Sequence, residues 1–384
     1  MKRITLSLLL IICYFFVSPA GAQPAPAFPG AEGHGRYVTG GRGGKVYYVT
    51  SLDDCTDDNL VPGTLRWALR TGDDTPRTIL FAVNGTIYLN SKLKTNHANV
   101  SILGQSAPGG GVCITGYPMV INNRNYIVRY VRFRAGDIPA QQSSGNESFS
   151  GLDIENAAEV ILDHCSVTWS MEECLTMFDN DTTTVQYCII GEGLYHSYNV
   201  KTTGDDSGRA FAMQWGGDHS NMHHTLITNC NGRAPRFNGV REANAWLEGK
   251  DGKQYAHDCH IDGDFANNVL YNWGGGHLSY YGGEFYASYF ADAPAGLDPY
   301  NRVYMRNNYF RPGPSTKVNG GSYRHFFHPS GDTESQVGQW YLAGNKFELS
   351  SYYAPSGTYW TDAALQTVND DNLAGFGTSA TALD

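Results

Sequence analysis

The sequence predicts an all-β protein, specifically a right-handed parallel β-helix with an N-terminal cap. Helical periodicity is hard to find along the chain, while glycine (45 residues) and tyrosine (25 residues) are abundant. Short runs rich in Val, Ile, Tyr and Asn recur at intervals of roughly 25 to 45 residues, which is typical of a solenoid with unequal loops. In such a fold each rung buries its apolar side chains only by stacking on its neighbours.

The strand-like runs share β-branched and aromatic residues, with asparagine near their ends. They lie at 125–133, 159–167, 183–190, 221–226, 266–272, 302–310 and 339–347. Asparagine tolerates left-handed backbone, so we expect turns there. A β-propeller is the alternative, but it would need four strands per repeat at a steadier period. One clear strand per repeat with additional fragments favours the β-helix.

The N-terminus predicts export. Lys2 and Arg3 precede an apolar run, and the small residues Ala20-Gly-Ala22 follow it. This pattern is typical of a secretory signal peptide, so we expect residues 1–22 to be removed. No other long apolar stretch exists, which excludes a membrane span. We therefore expect a soluble monomer, comprising one domain over residues 23–384, that is secreted to the periplasm or the extracellular space.

Two segments predict how the open end of the solenoid is covered. The glycine-rich stretch 40–44 lacks the Lys-Ser/Thr and the helix of a phosphate-binding loop, so we interpret it as a capping turn. The stretch 62–70 is the one plausible amphipathic helix, and it would cover the end of the first rung.

Charge and cysteine content exclude further classes of function. Without the signal peptide the chain has 25 basic and 37 acidic residues, a net charge of −12, which argues against nucleic-acid binding. An acidic substrate would need local basic residues or a bound cation. Seven cysteines remain without metal-ligand spacing, so a zinc site is not expected, while one or two disulfides stay open.

A loop with two arginines is the strongest candidate for a functional site. Arg233 and Arg236 flank Pro235, directly after the strand-like run that ends near residue 228. Proline fixes its own backbone and pushes the preceding residue towards an extended conformation, so the arginines lie in a loop rather than a helix. Loops on a rigid scaffold are where binding and catalytic groups concentrate.

Acidic residues on other rungs predict a cation site near this loop. The candidates are Asp153, Glu172 and Glu173. Neighbouring rungs lie about 4.8 Å apart, so their carboxylates can converge on an oxygen-ligated cation such as Ca²⁺. Alternation in a strand places Asp153 on the face opposite Leu152 and Ile154.

Several motifs together resemble the pectate lyases of polysaccharide lyase family 1, from Phe28 to about Gly276. These motifs are Phe28-Pro-Gly-Ala-Glu-Gly-His-Gly35, Thr39-Gly-Gly-Arg-Gly-Gly44, Gly63-Thr-Leu-Arg66, Gly104-Gln-Ser-Ala-Pro-Gly109, Ile161-Leu-Asp-His164 and Arg233-Ala-Pro-Arg236. The resemblance implies a parallel β-helix that cleaves polygalacturonate by calcium-assisted β-elimination, giving 4,5-unsaturated oligogalacturonates.

The resemblance also implies residue roles. Arg233 takes the position of the family's base, and Lys201 resembles the lysine that binds the substrate carboxylate. Glu172 matches a calcium-ligand position, and Glu173 and Asp153 are its candidate partners. Arg236 and Asn238 are the candidate substrate-binding residues. The chain departs from the family pattern at two positions: Asn238 stands where relatives often carry a further arginine, and Ser150 stands where a calcium-binding aspartate is expected.

An arginine base predicts an alkaline pH optimum. The pKa of arginine in solution lies far above pH 9, so deprotonation at pH 9 costs roughly 6.5 kcal/mol. Burial and neighbouring positive charges must reduce that cost.

Three other functions stay open. A polygalacturonase would hydrolyse the polymer with paired carboxylates, for which Asp205-Asp206 is the adjacent pair. A pectin lyase would need no calcium. A non-catalytic glycan-binding β-helix could stack sugars on Trp169, Trp215 or Trp273, although each could equally be a core residue. We expect Asp163 and His164 to be structural, because buried polar groups mostly find local partners.

Overall fold

The computed structural model describes residues 24–143, 148–198, 209–238, 261–274, 280–283, 301–316 and 339–347, together with three short strands at 247–248, 254–255 and 327–329. The predicted signal peptide (residues 1–22) and the tail after residue 352 lie outside the described residues. Both therefore stay predictions, as does the assignment of 23–384 to one domain.

Three parallel sheets wind around one apolar core, which confirms the parallel β-helix. The first sheet comprises β1 Lys45–Val49, β2 Arg77–Phe81, β5 Val100–Leu103, β8 Arg124–Arg129, β11 Ala158–Asp163, β14 Asp181–Gln186, β17 Asp218–His223, β22 Ile261–Ala266, β25 Asn301–Arg306 and β28 Gln339–Ala343. The second comprises β3 Gly85–Tyr88, β6 Val112–Thr115, β9 Val131–Arg134, β12 Ser166–Thr168, β15 Ile189–Gly191, β18 Leu226–Thr228, β23 Val269–Tyr271, β26 Tyr309–Arg311 and β29 Lys346–Phe347.

The third sheet carries the candidate site described below. It comprises β4 Leu93–Lys94, β7 Met119–Ile121, β10 Leu152–Glu155, β13 Glu173–Phe178, β16 Phe211–Trp215, β19 Arg236–Phe237, β24 Tyr280–Gly282 and β27 Phe327–Pro329. A separate antiparallel pair is formed by β20 Leu247–Glu248 and β21 Gln254–Tyr255. The full turns of the solenoid each contribute one strand to each of the three sheets.

Helix is rare among the described residues. The two α-helices are Leu65–Arg70 and Ile138–Gln142, and the two short 3₁₀ helices are His34–Tyr37 and Gly104–Ser106. Leu65–Arg70 confirms the predicted amphipathic helix. The Thr64 side chain accepts from the Trp67 backbone N–H at its N-terminus, and Leu65 and Leu69 are buried in the core. No described helix has the length and apolar character needed to cross a membrane.

Several predicted single strands are in fact two strands on different sheets. The runs 125–133, 159–167 and 183–190 each bend at one residue with left-handed backbone, namely Tyr130 (φ 56°), His164 (φ 51°) and Tyr187 (φ 52°). None of these three residues is a glycine or an asparagine, the residue types from which a left-handed bend can be predicted. The prediction of one strand per repeat was therefore wrong, because the corner between two sheets takes only one or two residues.

Buried asparagines stabilise a corner between the first and second sheets. Asn308 is fully buried; its side-chain NH₂ donates to the Phe265 carbonyl (2.8 Å) and to Asn345 Oδ1 (2.9 Å). Its Oδ1 accepts from the backbone N–H of Asn268 (3.0 Å) and from Asn268 Nδ2 (3.1 Å). Identical amides one rung apart thus satisfy each other, and the rungs on either side are held in register.

The N-terminal segment lies along the outer face of the first sheet. Gly41 donates its backbone N–H to Ser101 Oγ (2.9 Å), and a Cβ at Gly41 would lie 2.0 Å from the Arg77 carbonyl oxygen. Glycine is required there because the backbone approaches the strand this closely. The glycine-rich stretch 40–44 therefore forms a turn as predicted, but it packs on the outer face of the first sheet, and its role as a cap of the open end stays a prediction.

The described cysteines are free thiols. They are Cys55, Cys113, Cys165, Cys174, Cys188 and Cys230, and all but Cys113 are buried. Cys259 lies outside the part of the chain that the structure describes. Burial raises the pKa of Cys165 to about 12, so this thiol stays protonated and acts as a small apolar side chain.

The asparagine ladder leads to a stability prediction. Asn308→Ala removes four hydrogen bonds and leaves buried polar partners unsatisfied, so we expect a loss of about 2–4 kcal/mol in the free energy of unfolding. The matched control is Asn307→Gly, an exposed neighbour with left-handed backbone (φ 53°), which should change stability by less than about 0.5 kcal/mol. Urea unfolding of both variants measures the difference, and equal losses would contradict the role of the ladder.

Candidate functional site

In-register strands align polar side chains in one row on the outer face of the third sheet. Asp153 is the register partner of Thr176, Thr176 of Gln214, and Gln214 of Arg236. Adjacent strands lie about 4.8 Å apart, so the row extends about 14 Å along the solenoid. Leu152 and Ile154 point into the core, which confirms that Asp153 faces outward. The row thus brings an acidic residue and a basic residue to the same surface.

Arg233 lies beside this row, in the loop that leads into β19. Its backbone is left-handed (φ 52°), and the peptide between Ala234 and Pro235 is cis. Its guanidinium Nη1 donates to Glu173 Oε1. The Cζ atom of Arg233 also lies 3.9 Å from the centre of the Phe211 ring, within range of a cation–π contact. The predicted loop arginine therefore reaches one of the predicted carboxylates.

Gln214 links Glu173 to the end of the arginine loop. Its Nε2 donates to Glu173 Oε1 (2.7 Å), and its Oε1 accepts from Asn238 Nδ2 (3.0 Å). The backbone N–H of Asn238 donates to the Trp215 carbonyl (3.0 Å), which holds Asn238 against β16. Glu173, Arg233 and Asn238 thus form one connected hydrogen-bond network with Gln214 at its centre.

Glu172 is buried in a second charged contact. It is 2% exposed, its Oε1 accepts from Ser148 Oγ, and its Oε2 accepts from Arg209 Nε. The Cζ atom of Arg209 also lies 5.0 Å from the centre of the Phe211 ring. The two adjacent glutamates are therefore neutralised by two different arginines, which share Phe211 as a neighbour.

Asp153 differs from both glutamates because no arginine of the described residues pairs with it. Its Oδ1 is buried and accepts no hydrogen bond from the described residues. Burial, and then the charge of Glu155, raise the pKa of Asp153 to about 7, while a hydrogen bond from Ser150 opposes the shift. Ser150 Oγ also contacts Thr176 Oγ1 (2.7 Å), so the residue found in place of an aspartate joins the same row.

The donor set suits a hard cation in its chemistry. Asp153, Glu172 and Glu173 supply carboxylate oxygens only, which is the ligand type that Ca²⁺ prefers, and Asp153 has an oxygen to spare. Among the described residues, however, no three acidic, histidine or cysteine side chains converge closely enough to form a metal cluster. A cation bound here would compete with Arg209 and Arg233 for the two glutamates.

Other predicted residues have various outcomes. Lys201 and the pair Asp205-Asp206 lie outside the described residues. Asp163 is fully buried and bonds to Arg129 Nε (2.7 Å) and Gln186 Nε2 (2.6 Å), and its Oδ2 lies 2.9 Å from His164 Nδ1. This confirms the structural interpretation of the Asp-His pair.

Of the three tryptophans that could stack sugars, the structure leaves one on the surface. Trp215 (0% exposed) and Trp273 (2%) are core residues, while Trp169 is 53% exposed at the corner after β12.

Sequence reasoning did not identify Arg209, Phe211 or Gln214. Phe211 is the first residue of the fully buried strand β16 and Gln214 is its fourth, so their sequence pattern resembles ordinary core. Arg209 follows a glycine-rich stretch. The signal that could have found them is the rung length, since Phe211 is the register partner of Glu173 and Gln214 that of Thr176.

Comparisons with known proteins show curated relatives of the chain and solved structures of similar fold. A probable pectate lyase C from Emericella nidulans is 33% identical over 306 residues, 77% of this chain and 61% of its own length. Another, from Aspergillus fumigatus, is 35% identical over 294 residues, 76% of this chain and 56% of its own length. The chain is a homologue of pectate lyases. It spans about 60% of the length of these curated relatives, and no protein-family model matches it.

Solved structures support the fold alone. The cedar pollen allergen jun a 1 superposes with a TM-score of 0.51 at 17% identity, covering 86% of both chains. The thermostable pectate lyase PL 47 also gives a TM-score of 0.51, at 14% identity, covering 88% of both chains. These likenesses confirm the right-handed parallel β-helix.

The raised pKa of Asp153 leads to a pH-dependent stability prediction. Between about pH 4 and pH 7 the unfolded chain releases the Asp153 proton while the folded protein keeps it, so folding loses stability as pH rises. Asp153→Asn removes this pH-dependent loss of stability. The free energy of unfolding of the variant, relative to that of the unchanged protein, should therefore rise by about 2–4 kcal/mol between pH 4 and pH 7 and then level off. Urea unfolding over the pH range measures it; a pH-independent difference would contradict the shifted pKa.

Proposed function

We propose that the chain is a pectate lyase, which cleaves polygalacturonate by β-elimination with Arg233 as the base. The observation that carries the proposal is the position of Arg233: it projects from a fixed loop onto the outer face of the third sheet, beside the row that ends in Arg236. The homology to proteins named pectate lyase supports the substrate class. Trp169, exposed at an adjacent corner, is suited to contact a sugar ring.

Arg233 is proposed to remove the proton from C5 of a galacturonate residue. The electron pair of that C–H bond then forms the C4–C5 double bond, and the C4–oxygen bond breaks, so that the leaving oxygen takes up a proton. A nitrogen that donates to Glu173 cannot accept the C5 proton at the same time, so the base must act through its other nitrogens or after leaving Glu173. Arg236 and Lys201 are proposed to orient the substrate carboxylates, together with Asn238.

Asp153, Glu172 and Glu173 are the carboxylates proposed to hold Ca²⁺, although these described side chains do not form a cluster in the structure. A cation bound there together with the substrate carboxylate would supply positive charge next to C5. The buried Asp153 Oδ1, which accepts no hydrogen bond from the described part of the chain, supports this assignment. A net-acidic protein that binds an acidic polymer also requires positive charge at the site. Arg209 and Arg233 supply only part of that charge, because each is paired with a glutamate. Export of the protein through the signal peptide 1–22 remains part of the proposal.

A chelation experiment tests the reaction class and the cation together. Incubating the mature protein with polygalacturonate at alkaline pH should give rising ultraviolet absorbance from the conjugated unsaturated uronate. Chelating calcium should abolish the signal, and adding calcium back should restore it, because the carbanion loses its charge stabilisation without the cation. New reducing ends without absorbance would instead indicate hydrolysis, and no change in either would favour a binding protein.

Substituting the base tests the role of Arg233. Arg233→Lys should lower kcat by about 10² to 10⁴ while KM changes little, since a misplaced base affects the chemical step more than binding. The matched control is Arg132→Lys, an exposed arginine on the second sheet, which should retain full activity. The unchanged protein should show a rate that rises between about pH 6 and pH 10; a flat profile or an active Arg233→Lys variant would rule out this base.

A further inference from the structure

Phe211 lies within cation–π range of two guanidinium groups of the charged residues. The Cζ atom of Arg233 is 3.9 Å from the centre of its ring, and that of Arg209 is 5.0 Å away. Each arginine also pairs with one of two adjacent glutamates, Arg209 with Glu172 and Arg233 with Glu173. One buried aromatic ring therefore contacts both arginines of a four-charge cluster.

The two contacts of Arg233 constrain different degrees of freedom. A guanidinium group donates hydrogen bonds in its own plane and stacks through its face. The hydrogen bond to Glu173 Oε1 fixes the rotation of the group within the plane, and the Phe211 ring, 3.9 Å from the guanidinium carbon, restricts the tilt of that plane. A long arginine side chain has several rotatable bonds, and neither contact alone would restrict all of them.

The ring is itself held by the scaffold. Phe211 is 4% exposed and begins β16, where its backbone N–H donates to the Glu172 carbonyl (3.0 Å). It is also the register partner of Glu173, so the ring and the carboxylate that contact Arg233 are fixed on neighbouring rungs. The Met213 backbone N–H donates to the Arg233 carbonyl (2.8 Å), which ties the loop to the same strand. A site on rigid strands is held more closely than one on loops.

We propose that Phe211 is a positioning residue, which aligns the guanidinium group of Arg233 for proton abstraction. This inference rests on the proposed function and adds a residue to it. Phe211 cannot donate or accept a proton, and its apolar ring covers one side of the base. Displacement of a reacting group by about 1 Å can cost about 10²-fold in rate, so loss of the ring should appear in the chemical step.

Kinetics of three variants test the inference. Phe211→Leu keeps an apolar side chain but removes the aromatic face, and we expect kcat to fall by about 10- to 100-fold with KM changed less than about twofold. Phe211→Tyr and Phe211→Trp restore an aromatic face and should recover kcat to within about threefold of the unchanged protein. Failure of both aromatic variants to recover activity while still folded would overturn the inference.

A matched core substitution separates positioning from stability. Phe133→Leu removes a similarly buried ring from β9 on the second sheet, away from the charged cluster, and serves as the control for lost packing. A loss of kcat in Phe133→Leu equal to that in Phe211→Leu would show that destabilisation alone explains the effect. Thermal unfolding of both variants reports whether each is folded at the assay temperature.

A readout that does not depend on activity distinguishes this inference from the proposed function. Relaxation of the Arg233 Nε–H group by ¹⁵N NMR, assigned by its absence in Arg233→Lys, should show greater mobility in Phe211→Leu than in the unchanged protein. Unchanged mobility would overturn the positioning role even if Arg233 is the base. Increased Arg233 mobility in Phe211→Leu, combined with full activity of Arg233→Lys, would show that Phe211 restrains Arg233 but that Arg233 is not the base. Phe211 would then align no catalytic group, and the inference would fall with the proposed base.

Discussion

Parallel stacking of strands in register is the constraint on which the whole molecule depends. Each rung has an unsatisfied edge and an incomplete core until the next rung covers it, so residues at equivalent positions are placed on top of one another. Within the core this brings Asn268, Asn308 and Asn345 into one ladder. On the surface the same register aligns Asp153 with Gln214 and Arg236. The candidate site is therefore a consequence of the packing rather than an addition to it.

The charges of the site show a second consequence of stacking. Glutamates at two successive positions would repel each other on a sheet surface, yet Glu172 and Glu173 are both buried. The negative charge of each glutamate is balanced by an arginine from a later rung. Burial of these ion pairs is favourable only because hydrogen bonds from Ser148 and Gln214 satisfy further lone pairs of the two carboxylates. Asp153 has no such arginine among the residues that the structure describes, and it holds its proton to about pH 7 instead.

The sequence predicts the fold class and the main loop correctly because both have local signals. The strand-like runs, the helix Leu65–Arg70 and the outward direction of Asp153 follow from periodicity, and the loop of Arg233 follows from its proline. The corners at Tyr130 and His164 were missed since their left-handed backbone is imposed by the neighbouring rungs, not by the residue type. Contacts of Phe211 and Gln214 depend on register across about 40 residues, which no short pattern contains.

The most direct test of β-elimination is the fate of solvent oxygen. Polygalacturonate cleaved in water enriched in ¹⁸O can be analysed by mass spectrometry of the products. The account predicts oligogalacturonates that lack the mass of one water and acquire no ¹⁸O during bond cleavage, because the C4–oxygen bond breaks without attack by water. Saturated products that carry one ¹⁸O per cleaved bond would contradict it, since they would show that water, rather than a base such as Arg233, breaks the chain.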